Sequence, residues 1–297
     1  MFPSFFINEI EEYYGKNEAL NIVDTFSKGI CTTFRINTLK ADYESVTKEL
    51  KNIGIEPKES FFNNTAICLE PGSEKKVEEL DIYKDGKIYM QSLSSMIPPI
   101  VLAPNSRDNI LDMCAAPGGK TTQMAVISNN EALITACERN TIRAERLKYN
   151  IEKQSTKGIF VMNRDARDLD DFLSFDKILL DAPCSGSGTL FNFSGNNFSE
   201  DLVKKITKTQ LSLLTKALKL IKQGGEIVYS TCSILREENE YIIKNILDNY
   251  KNVELVPIEN DELKDIPKLK TTIDGTICIK PTQKFEGFFI AKLRKIA

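Results

Sequence analysis

The chain has 297 residues, of which 41% are hydrophobic and 27% charged, and its formal net charge is −3. This composition is typical of a globular protein and excludes a strongly basic nucleic-acid binder, and no apolar run approaches the roughly 20 residues of a membrane helix. Seven cysteines without a CxxC pair, together with the absence of histidine, exclude a common zinc site and indicate reduced thiols. We therefore expect a cytoplasmic protein without a secretory signal, a membrane association or a bound metal.

Residues 1–90 mix helical and strand patterns without regular alternation, which predicts a small α+β domain. The predicted elements are helices over Ser4–Tyr13 and Glu18–Ser27, a strand over Cys31–Ile36, a helix over Tyr43–Ile53, and strands over Ala66–Leu69 and Lys87–Met90.

Residues 91–297 alternate between strands and helices, which predicts a parallel sheet with helices on both faces. Strands are predicted over Asn109–Met113, Ala132–Cys137, Ile159–Met162, Lys177–Leu180, Glu226–Ser230, Val253–Pro257 and Gly287–Leu293, and helices over Lys120–Ile127, Thr141–Lys153, Glu200–Ile221 and Glu237–Tyr250. The long helix is expected to stop at Gln223-Gly224-Gly225, where a glycine can adopt the left-handed conformation. In such sheets ligands bind at the carboxyl ends of the strands.

The loop CAAPGGKT, from Cys114 to Thr121, follows the first of these strands and has three possible functions. A nucleoside-triphosphate loop requires glycine where Cys114 stands, and Pro117 has no amide hydrogen to offer a phosphate. The dinucleotide motif GxGxxG is absent. The third possibility is close approach of the backbone to a neutral or zwitterionic cofactor, which small residues would permit. These small residues are Ala115, Ala116, Gly118 and Gly119.

Acidic residues end four successive strands: Asp112, Glu138, Asp165 and Asp181. Glu138 stands where an acid can accept hydrogen bonds from both hydroxyls of a ribose. Asp165 could bind an adenine amino group. Because no pyrophosphate cradle is present, the series fits S-adenosylmethionine better than a dinucleotide.

Two cysteines also follow strands, Cys184 in LLDAPCSGSGT and Cys232 in VYSTCSI. Thiols at strand ends suggest covalent catalysis, in which a thiolate adds to carbon 6 of a pyrimidine and makes carbon 5 nucleophilic. The ring nitrogen and the exocyclic amine then need a carboxyl or an amine for support. Asp181, three residues before Cys184, is placed for this function.

These residues resemble the Nop/Sun family of RNA cytosine-5 methyltransferases. The resemblance depends on CAAPGGKT (Cys114–Thr121), DAPCSG (Asp181–Gly186) and STCS (Ser230–Ser233), with weaker matches in FRINTLK (Phe34–Lys40), YMQSLSSM (Tyr89–Met96) and GFFIAKLRK (Gly287–Lys295). It implies a Rossmann-like α/β methyltransferase sheet over residues 91–297, preceded by an RNA-binding α+β domain over residues 1–90. One departure is the segment Lys280–Gln283, where many relatives carry a histidine.

The resemblance also implies a function for each matching position. Cys232 would be the nucleophile, and Cys184 would help to eliminate the enzyme from the methylated base. Chemistry alone leaves this order open. Asp181 and Lys120 would support the target base, and S-adenosylmethionine would be the cofactor. Its expected contacts are Cys114, Ala115, Ala116, Pro117, Gly118, Gly119, Lys120, Glu138, Arg143, Asp165 and Asp181.

The expected partner is RNA, with a cytosine flipped out of its stack. The compact layout favours tRNA, while ribosomal RNA stays open as an alternative. Candidate phosphate contacts are Arg35, Lys40 and the helix carrying Arg139–Lys148. A non-catalytic RNA-binding assembly factor is a further alternative, although both motif cysteines are present. We expect a monomer, and a partner protein that improves specificity is compatible with the sequence without being visible in it.

Overall fold

The protein is described by a computed structural model covering residues 2–191, 193 and 198–296. Its first two helices, α1 (Ser4–Tyr14) and α2 (Lys16–Phe26), meet at Gly15, whose φ of 84° favours glycine. Their buried side chains, Phe6 and Ile10 on α1 and Ile22 and Phe26 on α2, belong to the core on one face of the large sheet. Across the described ranges, no helix combines the length and the apolar character needed to cross a membrane.

A four-stranded antiparallel sheet follows, with strand order β2-β3-β1-β4. Its elements are β1 (Thr32–Ile36), α3 (Tyr43–Asn52), β2 (Glu59–Phe61), β3 (Ala66–Leu69), α4 (Glu74–Glu78), α5 (Asp81–Lys84) and β4 (Ile88–Met90). The Asp42 side chain accepts a hydrogen bond from the Ser45 amide and so fixes the start of α3. Phe34, Val46 and Leu50 pack in the separate core of this sheet.

The rest of the chain builds a nine-stranded sheet with the order β11-β12-β13-β9-β8-β5-β6-β7, and β10 pairs with β13. The elements are α6 (Leu93–Leu102), β5 (Asn109–Asp112), α7 (Gly119–Ile127), β6 (Leu133–Cys137), α8 (Thr141–Lys153), β7 (Ile159–Met162), β8 (Phe175–Asp181), α9 (Glu200–Leu220), β9 (Ile221–Thr231), α10 (Glu240–Asn249), β10 (Val253–Val256), β11 (Lys268–Leu269), β12 (Ile277–Ile279) and β13 (Phe288–Lys295). The predicted α/β class, with its Rossmann-like sheet behind a small α+β unit, is confirmed.

The prediction of a parallel sheet holds for five of the nine strands. Strands β7, β6, β5, β8 and β9 are parallel, whereas β13 runs antiparallel to β9, with Ala291 opposite Tyr229. Strands β10, β11 and β12 extend this antiparallel half. Antiparallel neighbours do not need the helical crossover that links parallel strands. Strand–helix alternation in the sequence therefore did not predict the antiparallel strand pairs that follow α10.

Two local predictions were wrong. Helix α6 was missed because it contains Pro98 and Pro99, which usually argue against a helix. The predicted glycine stop after the long helix is also absent, since α9 ends at Leu220 and the chain enters β9 directly. Gly224, with a φ of 75°, instead lies within β9 beside an irregular register with β8.

Candidate active site

Two cavities lie at the carboxyl edge of the parallel strands. The first, here called the Glu138 cavity, has a volume of about 260 Å³, and Glu138, Asp165 and Cys184 are among its lining residues. The second, the Lys120 cavity, has a volume of about 370 Å³ and extends to Phe288 on β13. Four residues line both cavities: Cys114, Ala116, Asp181 and Cys232. Asp181 at the end of β8 and Cys232 directly after β9 therefore lie where the two cavities adjoin.

The loop between β5 and α7 lies beside both cavities. Asp112, at the end of β5, is buried and accepts a hydrogen bond of 2.7 Å from the Thr121 hydroxyl on α7. This bond ties the two ends of the loop together, and burial raises the pKa of Asp112 to about 6. Gly118 has a φ of 111°, and a Cβ there would lie 2.9 Å from Leu147. Only glycine fits this turn, so the loop can pack closely against α8.

The acids after β6 and β7 are held by arginines. Glu138 is buried, accepts the Asn140 amide at 2.8 Å and lies 3.3 Å from the Arg143 guanidinium. Arg143 also donates to the Ala116 carbonyl at 2.6 Å and so connects this acid to the glycine-containing loop. Asp165 accepts two side-chain hydrogen bonds from Arg167, which hold the pKa of Asp165 below its usual value. The structure thus brings these predicted residues to one cavity, with Arg167 as a contact that the sequence did not indicate.

Lys120 and Asp181 form an ion pair between α7 and the end of β8. The Lys120 ammonium lies 2.7 Å from one Asp181 oxygen and donates to the Ser95 hydroxyl at 2.7 Å. The other Asp181 oxygen accepts a 2.8 Å hydrogen bond from the Ser230 hydroxyl on β9. Two residues predicted independently to face the target base therefore form one fixed group in the Lys120 cavity.

The two motif thiols meet directly, with 2.9 Å between Cys184 Sγ and Cys232 Sγ. Both cysteines are free and partly accessible. The hydrogen bond with Cys232, together with burial, raises the pKa of Cys184 well above its ordinary value. Cys184 therefore keeps its proton at neutral pH. A protonated thiol beside a second sulfur suits a pair in which one member attacks and the other handles protons.

Glu238, a buried acid that was not predicted from the sequence, connects the loop that carries Cys184 to the loop that carries Cys232. These are called the two cysteine loops below. Glu238 is fully buried and accepts the Ser185 amide at 2.7 Å, the Ser185 hydroxyl at 2.6 Å and the Ser233 hydroxyl at 2.5 Å. Gln210 on α9 adds a bond of 3.2 Å. Ser185 and Ser233 each directly follow a motif cysteine, so Glu238 sets the separation of the thiols. Its position in EENE gave no signal, since Ser185 and Gln210 lie 53 and 28 residues away in the sequence.

The predicted phosphate contacts Arg35 and Lys40 are corrected by the structure. Arg35 is buried and donates to Thr122 and Gln91, which leaves its guanidinium inside the protein. The Lys40 ammonium donates to the carbonyls of Asp85 and Lys153. Both side chains join the small sheet to the part of the chain that builds the large sheet. A lone positive charge in a strand pattern does not reveal whether it faces solvent or a neighbouring element.

The segment Lys280–Gln283 has a structural function in this chain. Lys280 forms an ion pair of 2.6 Å with Glu18 on α2, and the Gln283 carbonyl accepts the Cys31 amide at 2.8 Å. The segment therefore holds the N-terminal helices against the large sheet, outside both cavities.

Sequence and structure comparisons agree with this architecture. Residues 99–294 match the family model described as 16S rRNA methyltransferase RsmB/F, and residues 2–74 match the RsmF/B-like ferredoxin-like domain. Ribosomal RNA small subunit methyltransferase F of Vibrio atlanticus is 33% identical over 99% of this chain and 64% of its own length. The 25S rRNA (cytosine-C(5))-methyltransferase nop2 of Schizosaccharomyces pombe is 32% identical over all of this chain and 50% of its own. The chain thus spans less than two thirds of these curated relatives.

Solved structures extend the likeness to three dimensions. A methyltransferase homolog protein from Pyrococcus horikoshii is 32% identical, with a TM-score of 0.86 over 99% of this chain and 96% of its own. NSun6 from the same organism is 24% identical and shares the fold, with a TM-score of 0.90 over 100% of this chain and 99% of its own. The family model covers well over half of the chain and includes all three motifs. The chain therefore belongs to the RsmB/F methyltransferases, within the Nop/Sun family that its motifs resemble.

Proposed function

We propose that this chain is an S-adenosylmethionine-dependent RNA (cytosine-5) methyltransferase. The observation that carries the proposal is the thiol pair, 2.9 Å apart, at a junction of two cavities in a chain of this family. Methyl transfer to a base carbon requires a cofactor space and a base space that open towards each other. Cys232 and Asp181 line both cavities and therefore lie at the junction that this reaction needs.

The residues of the Glu138 cavity fit the proposed cofactor. The buried Glu138 carboxylate is an acceptor suited to ribose hydroxyls, and Cys114 and Ala116 of the glycine-containing loop line the same cavity. Bound there, S-adenosylmethionine would supply an electrophilic methyl group. The proposed contacts that line this cavity are Cys114, Ala116, Glu138, Arg143, Asp165 and Asp181. The other predicted contacts, Ala115, Pro117, Gly119 and Lys120, line the Lys120 cavity, and Gly118 lies between them on the same loop.

The side chains of the Lys120 cavity would prepare the target base. In our proposal the Cys232 sulfur forms a bond to carbon 6, which moves electron density to carbon 5. The Lys120–Asp181 pair holds the ring edge, and its fixed geometry means that little reorganisation accompanies the attack. After the methyl group has joined carbon 5, a base accepts the carbon 5 proton, the C–H electron pair restores the 5,6 double bond, and Cys232 leaves as a thiolate. Cys184, adjacent to the Cys232 sulfur, is placed to assist this release.

The substrate class is proposed as RNA. The names of the curated relatives favour ribosomal RNA, while tRNA stays the prediction made from the compact sequence. We further propose residues 1–90 as an RNA-binding unit, supported by the ferredoxin-like match over residues 2–74. Exposed arginines at the mouth of the Glu138 cavity, such as Arg139, are available for phosphate contacts.

The direct test is transfer of a labelled methyl group from S-adenosylmethionine to 16S ribosomal RNA and, separately, to total tRNA. Sequencing of 5-methylcytosine would then identify the modified position. We expect incorporation into one RNA class and none with Cys232→Ala. Absence of transfer to either class, or transfer that persists in Cys232→Ala, would contradict the proposal. Tight ATP binding without S-adenosylmethionine binding would instead support a nucleotide hydrolase.

A further inference from the structure

Besides Asp112 and Asp181, the Lys120 cavity contains an acid that neither the motifs nor the reaction scheme uses. Glu286 lies directly before β13 and lines this cavity together with Cys232, Asp181 and Lys120. Within the ranges that the structure describes, it has no cation within salt-bridge distance. The neighbouring Lys120 ammonium is already engaged by Asp181 and Ser95. The Glu286 carboxyl interacts with Ser92 instead, and burial raises its pKa.

The position of Glu286 is fixed relative to the nucleophile by the main chain. The Gly188 amide donates to the Cys232 carbonyl at 3.0 Å, and the Gly287 amide donates to the Gly188 carbonyl at 2.8 Å. A Cβ at Gly188 would lie 2.1 Å from the Gly287 carbonyl oxygen, so both glycines are required for this approach. The Ser94 hydroxyl also donates to the Glu286 carbonyl at 2.8 Å. Two main-chain hydrogen bonds through Gly188 thus connect Cys232 to Gly287, the residue that directly follows Glu286.

The chemistry of the pyrimidine edge suggests what this acid recognises. Cytosine presents an amine at carbon 4, which donates hydrogen bonds, whereas uracil presents an acceptor oxygen at the same place. An ionised carboxylate can only accept. Among the acids of this cavity, Asp112 accepts from Thr121, and Asp181 accepts from Lys120 and Ser230. The Glu286 carboxyl interacts with Ser92 and forms no ion pair within the described ranges, so it has the most accepting capacity left for the base.

We propose that Glu286 is a specificity-determining residue of the base cavity, which binds the exocyclic amine of the target cytosine and so disfavours uracil. The proposal rests on the proposed RNA cytosine-5 methylation. It assigns Asp181 and Lys120 to the ring nitrogen side of the base and Glu286 to the amine. Specificity of this kind is expected to be strong, because the wrong base leaves a buried polar group without a partner.

The test uses covalent trapping of ribosomal RNA and tRNA transcripts made with 5-fluorocytidine or with 5-fluorouridine. S-adenosylmethionine is included so that a methyl group is transferred to carbon 5. This carbon then carries fluorine and no proton, so elimination is blocked, the bond between Cys232 and carbon 6 persists, and the adduct is counted on a denaturing gel. The wild type should trap fluorocytidine RNA and discriminate against fluorouridine RNA. In Glu286→Gln, whose amide can also donate, the ratio of the two trapping rates should fall by about tenfold or more.

Two controls separate the possible outcomes. Glu259→Gln makes the same change at an exposed acid that lines neither cavity of the site, and it should keep the wild-type ratio. If both rates fall together in a folded Glu286→Gln while the ratio is unchanged, Glu286 is structural and the proposal is overturned. Glu286→Asp, which keeps the charge, should retain more discrimination than Glu286→Gln. Failure of the wild type to trap any fluorocytidine RNA would contradict the proposed function itself.

Discussion

Replacing Glu238 by alanine should reduce stability and also disturb the thiol pair. The variant removes an acceptor of four hydrogen bonds and leaves the Ser185 amide and the Gln210 amide buried without this partner. Burial raises the pKa of Glu238, which shows that desolvation offsets part of the bonding energy. Leaving a buried neutral hydrogen-bond donor without its partner typically costs about 1–3 kcal/mol. We expect a loss in this range for Glu238→Ala.

Urea unfolding at neutral pH measures this loss, and a second assay reports on the geometry of the site. In the folded wild type, a thiol oxidant should rapidly cross-link Cys184 with Cys232, whose sulfurs are in contact. Glu238→Ala should slow this reaction, because Ser185 and Ser233 are no longer held by a common acceptor. Glu237→Ala is the matched control, since Glu237 accepts from Tyr13 and touches neither cysteine loop. A Glu238→Ala loss below about 1 kcal/mol, or an unchanged cross-linking rate, would refute this reasoning.

Three further outcomes are expected. Cys232→Ala should abolish methylation and any covalent RNA adduct, whereas Cys184→Ala should accumulate the adduct on a denaturing gel; the opposite pattern would reverse the two roles. Glu138→Ala should weaken S-adenosylmethionine binding in calorimetry by about tenfold or more without unfolding the protein, and unchanged affinity would remove this acid from the site. Because burial raises the pKa of Asp112 from 3.8 to about 6, the stability linked to its protonation is complete below pH 3.8 and lost as pH rises through 6. The free energy of unfolding of Asp112→Asn minus that of the wild type, measured by chemical denaturation, should therefore increase by about 3 kcal/mol between pH 3.5 and pH 8. A difference that does not change with pH would contradict the raised pKa of Asp112.

The part of the site that could be predicted from the sequence lies at strand ends. The strands Ala66–Leu69 and Ile159–Met162 were predicted to the residue, and periodicity also located β5, β6 and β8 closely. Once the strands are placed, the acids and thiols that follow them must converge on one edge of a parallel sheet. The pairing of Lys120 with Asp181 could be predicted only from the family motifs, because Lys120 lies on a helix and Asp181 at the end of a strand.

What could not be predicted depends on contacts between distant segments. Glu238 acquires its function from Ser185, 53 residues away, and Glu286 from a loop centred on Gly188. Arg35 was misassigned for the same reason, since its partner Thr122 lies 87 residues further along the chain. A local pattern describes burial along one element, whereas these functions are set by the packing of one element on another.

The packing of α1 and α2 has a consequence for how the chain folds during synthesis. The Tyr13 hydroxyl bonds to Glu237 and the Tyr14 hydroxyl to the Ile234 carbonyl, across 224 and 220 residues of sequence. At translation rates of about 5–20 residues per second, these two helices are synthesised at least about ten seconds before the residues that they contact. During that interval their apolar faces are exposed on the nascent chain. Chaperone binding to the ribosome-bound protein should accordingly concentrate on its first two helices until β9 and α10 have emerged.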